Sequence, residues 1–156
     1  MSSHAESVLS APEAIAAGAG AESALWARSL CDAADWEPVF SPLAPATFTL
    51  GLETVYEAYL VHYGRPRLFA VGDRDEAVLL GDYLYAHGLV RISEAGGVDA
   101  VAAMAELISR CAALRADGAR GDGDVWVETA RRLGGTPGSD EITLALARHF
   151  ARVGPS

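Results

Sequence analysis

The sequence predicts an all-α protein, a bundle of about six to seven helices. Three observations carry this expectation. Alanine and leucine dominate while aromatic residues make up only 8%, which favours helix over sheet. Apolar residues recur three and four positions apart in one segment after another, and Gly and Pro separate the segments. No alternation of apolar and polar residues, as a half-buried strand needs, runs for more than a few positions. At 51% hydrophobic and 21% charged, the 156-residue chain has a globular composition and is long enough to bury a real core.

Residues 1–20 are rich in Ser, Ala and Gly and are expected to form a flexible N-terminal arm, with residues 21–156 as one helical domain. Ala21 to Ala34 reads as the first clear helix, with Leu25, Trp26, Ser29 and Leu30 on one stripe. Trp36, Glu37 and Pro38 end it, and Pro42 and Pro45 keep the following stretch extended. Ala46 to Tyr63 resumes helical spacing, with Phe48, Leu52, Val55, Tyr59 and His62 on one face. Gly64, Arg65 and Pro66 break the pattern, and a short helix or turn is expected over Arg67 to Val71.

Asp73 is placed to cap the next helix, with Glu76 in the capping-box position. Ala77 to Ser93 is apolar on most sides and should lie near the core. Gly81 and Gly88 inside it each cost roughly 1 kcal/mol of helix propensity relative to Ala. Such glycines often allow two helices to approach closely. Gly96 and Gly97 end the helix. Val98 to Leu114 is amphipathic, with Val101, Met104, Ala105, Ile108 and Cys111 as its apolar stripe. Ala116 to Gly123 is a Gly- and Asp-rich loop. Asp124 is expected to cap a helix through Leu133 with Val125, Trp126 and Thr129 inward. After the break at 134–138, Ser139 is expected to cap a last helix, Asp140 to Val153.

Charge and composition exclude several classes of function. All twelve basic residues are Arg, and the formal net charge is −9. Without lysine there is no Schiff-base chemistry and no P-loop lysine. The acidic balance argues against a nucleic-acid partner, which calls for a basic face. The N-terminal stretch lacks the basic n-region and apolar core of a secretory signal, and no apolar run spans a bilayer, so a cytoplasmic protein is expected. Cys31 and Cys111 show no CxxC pattern and read as buried free thiols.

The strongest chemical candidates lie between Thr47 and Arg91. Glu53 and Glu57 sit one turn apart on one helix face; such a pair either forms a solvated helix edge or holds a divalent cation. Arg65 and Arg67 flank Pro66. They are either surface charge at a loop or bidentate donors to a diphosphate or carboxylate. Arg74 fits local capping and pairing. His62 and His87 lie on helices with no metal-ligand spacing around them, and His149, on an Arg-flanked helix, is expected to be exposed. The Gly-rich segments at 116–123 and 134–138 do not follow strands, so a dinucleotide or P-loop reading fails. Neither GxSxG nor HExxH occurs.

Gly64 and Pro66, followed at fixed spacing by Gly81, Asp82, Tyr83 and Leu84, resemble the polyprenyl synthetase (trans-isoprenyl diphosphate synthase) family. That family carries RRGxP and then a Gly-Asp that opens another helix. In the same register Thr47, Thr49 and Leu50 resemble the positions before the first aspartate-rich motif, and the motif itself falls on Glu53 to Glu57. The resemblance covers Thr47 to Arg91 and is looser through Ala100 to Gly135. It implies a truncated isoprenoid-synthase-like helical bundle. It also makes Arg65, Arg67 and Asp82 candidate substrate-binding residues, and Glu53 and Glu57 candidate metal ligands at degenerate aspartate positions.

The chain departs from that family where the chemistry lies. Glu53 and Glu57 replace aspartates and Thr54 replaces another. His62 and Tyr63 stand for the paired arginines, the Lys-Thr pair has no lysine, and the second aspartate-rich motif would fall beyond Ser156. Without these groups the Mg²⁺ ions that stabilise a leaving diphosphate are lost. The resemblance therefore implies a non-catalytic subunit that supports a catalytic prenyl diphosphate synthase and its product chain length. No cofactor is expected, with Mg²⁺ only if Glu53 and Glu57 function. A prenyl diphosphate or prenyl chain is a further candidate ligand. The alternatives are a non-enzymatic helical scaffold or isoprenoid-binding protein, and a residual Mg²⁺-dependent prenyltransferase.

Overall fold

A computed structural model describes residues 9–154. Among them are six α-helices and two short 3₁₀ turns, so the protein is all-α. Helix α1 (Ala11–Glu22) is followed directly by α2 (Ala24–Ser29). The 3₁₀ turns Ser41–Leu43 and Ala46–Phe48 then lead into α3 (Thr49–Tyr63). The long α4 (Arg74–Ala116), α5 (Asp122–Arg132) and α6 (Ser139–Val153) complete the order. No helix among the described residues is long and apolar enough to cross a membrane.

The N-terminal region differs from the expected flexible arm. Residues 1–8 lie outside the described residues, but from Ala11 the chain is helical and packed. Ser10 and Glu13 form a reciprocal capping box: the Glu13 N–H donates to Ser10 Oγ (3.4 Å), and the Ser10 N–H to Glu13 Oε1 (3.2 Å). Ile15 and Ala19, one turn apart, are buried against α3 and α4. The helix expected over Ala21 to Ala34 is broken at Ser23, whose hydroxyl accepts from the Leu25 N–H (3.1 Å) and starts α2. Residues 67–71, expected as a short helix or turn, bend at Arg67 and Leu68 and then pair with the chain after α2. Leu30 and Phe69 form an antiparallel bridge, with the Ala70 N–H donating to the Ser29 carbonyl (2.8 Å).

Helices α3 and α4 are the centre of the molecule. Every residue of α3 from Gly51 to Leu60 is buried, so this helix is enclosed on all sides rather than on one stripe. Asp73 caps α4 through the Asp75 N–H (2.9 Å). The two segments read as separate helices, 77–93 and 98–114, abut in one rod bent at Gly97. There φ is +72° and ψ −159°, a conformation only glycine adopts readily. In the second half of α4 the inward residues are Ala100, Ala103, Met104, Leu107 and Cys111. The expected stripe is thus rotated: Val101 and Ile108 lie at its margin and Ala105 is exposed.

Close approach of α3 and α4 depends on missing side chains. A Cβ at Gly88 would stand 2.6 Å from Val55 Cγ2 and 3.1 Å from the Val55 backbone nitrogen. One at Gly51 would stand 2.6 Å from Ile92 Cδ1. Each helix thus offers a glycine to a β-branched residue of the other. Gly88→Ala is expected to lower stability by about 1–3 kcal/mol, because the α3 backbone cannot retreat from the added methyl. Chemical denaturation followed by circular dichroism reads this directly; a variant as stable as the parent would show that the interface has slack.

Helix α5 starts at Asp122 with Gly121 as N-cap, three residues before the expected cap Asp124, and Val125, Trp126 and Thr129 point inward as expected. The α6 cap is Gly138 rather than Ser139, with its N–H donating to Glu141 Oε1 (3.0 Å). The main core gathers aromatic rings between α3, α5 and the first 3₁₀ turn. Phe40 stacks on Trp126 (centroids 5.3 Å apart, 7° between planes), and Tyr56 meets Trp126 edge-on (5.1 Å, 88°). Of the two cysteines, both free, Cys111 is buried as expected and Cys31 is exposed. Burial pushes the Cys111 thiol up to about 12.

Candidate functional site

Glu53 and Glu57 do share one face of α3, but that face is turned into the core. Their side chains are 1% and 0% exposed, and the Arg67 side chain lying between them is also fully buried. Arg67 Nε donates to Glu57 Oε1 (2.9 Å) and Nη1 to Glu53 Oε1 (3.2 Å). Nη1 also donates to the Glu37 carbonyl (3.0 Å), and Nη2 to the Glu53 carbonyl (3.3 Å). Trp36 covers the guanidinium plane at 3.8 Å. Glu57 Oε2 accepts the backbone N–H groups of Arg67 (2.9 Å) and Leu68 (2.8 Å). Pro66 makes this possible. The chain leaves α3, turns at Gly64 to Pro66, and doubles back so that Arg67 and Leu68 lie against Glu57 of the helix it has just left.

Two buried carboxyl groups face one guanidinium here. Burial pushes the Glu53 carboxyl up; Arg67 opposes this, and neighbouring Glu57 adds to it. A divalent cation does not fit these residues. The carboxylate oxygens already accept from Arg67 and from backbone N–H groups, both side chains are sealed from solvent, and a cation would have to displace an arginine held by several hydrogen bonds. No group of three or more His, Cys, Asp or Glu suited to a metal occurs among the described residues.

The remaining sequence candidates are not brought together. Arg65 is exposed and donates to the Ala151 carbonyl, while its backbone N–H donates to the Arg152 carbonyl (3.0 Å), so it ties the connector to the end of α6. Asp82 lies on the outer side of α4 with 69% of its side chain exposed, 3.7 Å from His62 Nε2. His62 stacks on Tyr85 (5.2 Å, 15°) and lies over Gly81, where a Cβ would stand 2.3 Å from its Nε2. Burial holds the His62 pKa below its ordinary value, against the pull of Asp82. His87 stacks on Tyr83 (5.3 Å, 18°). Arg74 opens α4 at the surface.

A second polar centre escapes the sequence reading. Asp122, at the first position of α5, is 5% exposed, and its Oδ2 gathers donors from three other helices. These are Tyr59 Oη of α3, Arg115 Nη2 of α4 (2.7 Å) and His149 Nε2 of α6 (3.0 Å). Arg115 Nε also donates to Tyr59 Oη (3.0 Å). His149, expected at the surface, is 0% exposed. Burial pushes the Asp122 carboxyl up, but the hydrogen bonds from His149, Tyr59 and Arg115 together outweigh it and hold the pKa well below the usual range. An ionised Asp122 can only accept, so His149 carries its proton on Nε2. Its Nδ1 shares a hydrogen bond with the Tyr56 hydroxyl (2.8 Å). Each donor is matched to an acceptor, and the network works as a four-helix clasp.

Beside this clasp is a cleft of about 530 Å³ between the N-terminal end of α5 and the C-terminal end of α6. Phe150 and Val153 supply its apolar wall, and Arg120, Asp122 and Asp124 its polar side. Asp122 reaches it only with an already occupied carboxylate. Compared with protein-family models, with curated proteins and with solved structures, the chain matches none.

Proposed function

We propose that the chain is a non-catalytic subunit of a heteromeric polyprenyl diphosphate synthase, working in the cytoplasm through contact with a catalytic partner. The observation that supports this reading is the Arg67 centre. The carboxylates that stand where the resemblance puts metal ligands are locked inside the core by an arginine from the connector that carries Gly64 and Pro66. The stretch keeps the helix pair and its register while giving up the free ligands that ionise an allylic diphosphate. The same stretch therefore serves as architecture, and its contribution to a synthase is a surface rather than a reaction.

Co-expression with a synthase that carries both aspartate-rich motifs tests this. The two chains are expected to elute together, and the chain should change the turnover or product length of the synthase while making no prenyl product alone. A chain that stays apart from the synthase and alters neither property would end the reading. A second reading, an isoprenoid-binding protein, has the apolar wall of the α5–α6 cleft in its favour. It requires a prenyl alcohol to bind as well as the diphosphate, and without Mg²⁺.

A further inference from the structure

His62 closes the last turn of α3 against α4. Because Gly81 has no side chain, the imidazole lies directly on the α4 backbone, where a Cβ would collide with its Nε2, Cε1 and Cδ2. The ring is stacked on Tyr85 of α4 (5.2 Å, 15°) and tilted against Tyr63 of its own helix (5.8 Å, 45°). Only 18% of the side chain is exposed. The turn of α4 that supplies this flat seat also supplies a carboxylate. Asp82 follows Gly81, largely exposed, with its Oδ1 3.7 Å from His62 Nε2. That separation is too long for a hydrogen bond. The seated ring is held by packing, and Asp82 stands one short movement away.

A proton on the ring changes what it needs. An imidazolium has two N–H donors and no acceptor, and a carboxylate is its strongest partner. Burial opposes the charged form and holds His62 below its ordinary value, while Asp82 pulls the other way. The other groups around the ring do not replace Asp82. Burial pushes the Tyr85 phenol up, so it stays neutral. Beyond Tyr63 lies Arg115, a like charge, 5.7 Å from the centre of that ring. Arg65, in the connector after α3, is turned to the Ala151 carbonyl of α6. The face of Tyr85 attracts a cation, but it cannot accept a hydrogen bond as a carboxylate does.

Going beyond the subunit reading and independent of it, we propose that His62 is a pH-sensitive latch between α3 and α4. The neutral ring is seated on Gly81 and Tyr85; the protonated ring leaves that seat for Asp82 and solvent. Helix α4 thus carries the position that admits the neutral ring and, one residue on, the group that receives the charged one.

Histidine NMR of the full chain, from about pH 8 to about pH 4.5, tests this. The His62 ring is expected to titrate with a midpoint below 6.5. Nuclear Overhauser contacts from its ring protons to Gly81 and to the Tyr85 ring should be present at the upper pH and lost with that same midpoint. Asp82→Asn removes the receiving group and should lower the midpoint further. Gly81→Ala fills the seat, so the contacts to Tyr85 should be weakened already at the upper pH and the midpoint should return toward the ordinary value. His62→Phe serves if Gly81→Ala does not fold: it seats an aromatic ring that takes no proton, and the Tyr85 resonances should lose their pH dependence. Contacts to Gly81 and Tyr85 that persist on the protonated ring overturn the latch, as they would if stacking held the cation in place. So does a midpoint at or above 6.5, a ring that stays neutral throughout, an Asp82→Asn midpoint that does not fall, or a Tyr85 that still responds to pH in His62→Phe.

Discussion

Arg67→Met is expected to be the most damaging single substitution, lowering stability by about 3–5 kcal/mol at neutral pH, enough to unfold a large share of the molecules. The loss comes mainly from what the change leaves behind: Glu53 and Glu57, buried and one turn apart, with no cation between them. Glu53, already pushed up by burial, would then lose the cation that opposes its rise. A carboxyl whose folded pKa is raised contributes stability that is complete below its unfolded value and is lost as pH rises through the folded value. The variant should therefore regain stability from pH 8 to pH 5. Glu53→Gln should cost far less than Arg67→Met, because Glu53 is itself held above its ordinary value by burial, and its penalty should shrink further as pH rises. Denaturation of the parent and both variants at the two pH values checks this. A mild Arg67→Met would mean that water reaches the centre.

Asp122→Asn ranks second, at about 2–3 kcal/mol, since one substitution weakens contacts to α3, α4 and α6 together. Its pH signature runs the opposite way. The folded pKa of Asp122 is depressed, so its contribution is present above the unfolded value, about 4, and fades as pH falls through the folded one. The parent should lose stability on acidification below about pH 5, and the Asn variant should show a shallower acid limb. Parallel acid limbs would mean that Asp122 titrates alike in the folded and unfolded chain.

Several local signals in the sequence are read correctly, although the caps of α5 and α6 fall at Gly121 and Gly138 rather than at Asp124 and Ser139. Gly81 and Gly88 mark the close approach to α3, Asp73 caps α4, and Val125, Trp126 and Thr129 face inward because helix periodicity alone orients them. The pattern Ser10, Pro12, Glu13 is equally local and signals the start of α1, but the Ser- and Ala-rich composition around it suggests an arm. Arg67 and Asp122 depend on long-range encounters. Nothing near Arg67 in sequence shows that the chain doubles back onto Glu57, and nothing in the glycine-rich segment before Asp122 shows that four helices converge on it. His149 had a usable signal: it continues the apolar spacing of Ile142, Ala145 and Leu146 and so belongs to the inward face of α6.

The enclosure of α3 decides how this protein moves. Its residues from Gly51 to Leu60 are all buried, so their amides are expected to meet solvent only when the molecule as a whole opens, with deuterium exchange that follows global unfolding. The outward face of α4 is exposed to solvent, and its amides are expected to exchange sooner than those of α3. A single chain thus combines a slow-exchanging axis, which keeps the register of the helix pair, with a faster outer layer free to adjust to whatever lies against it.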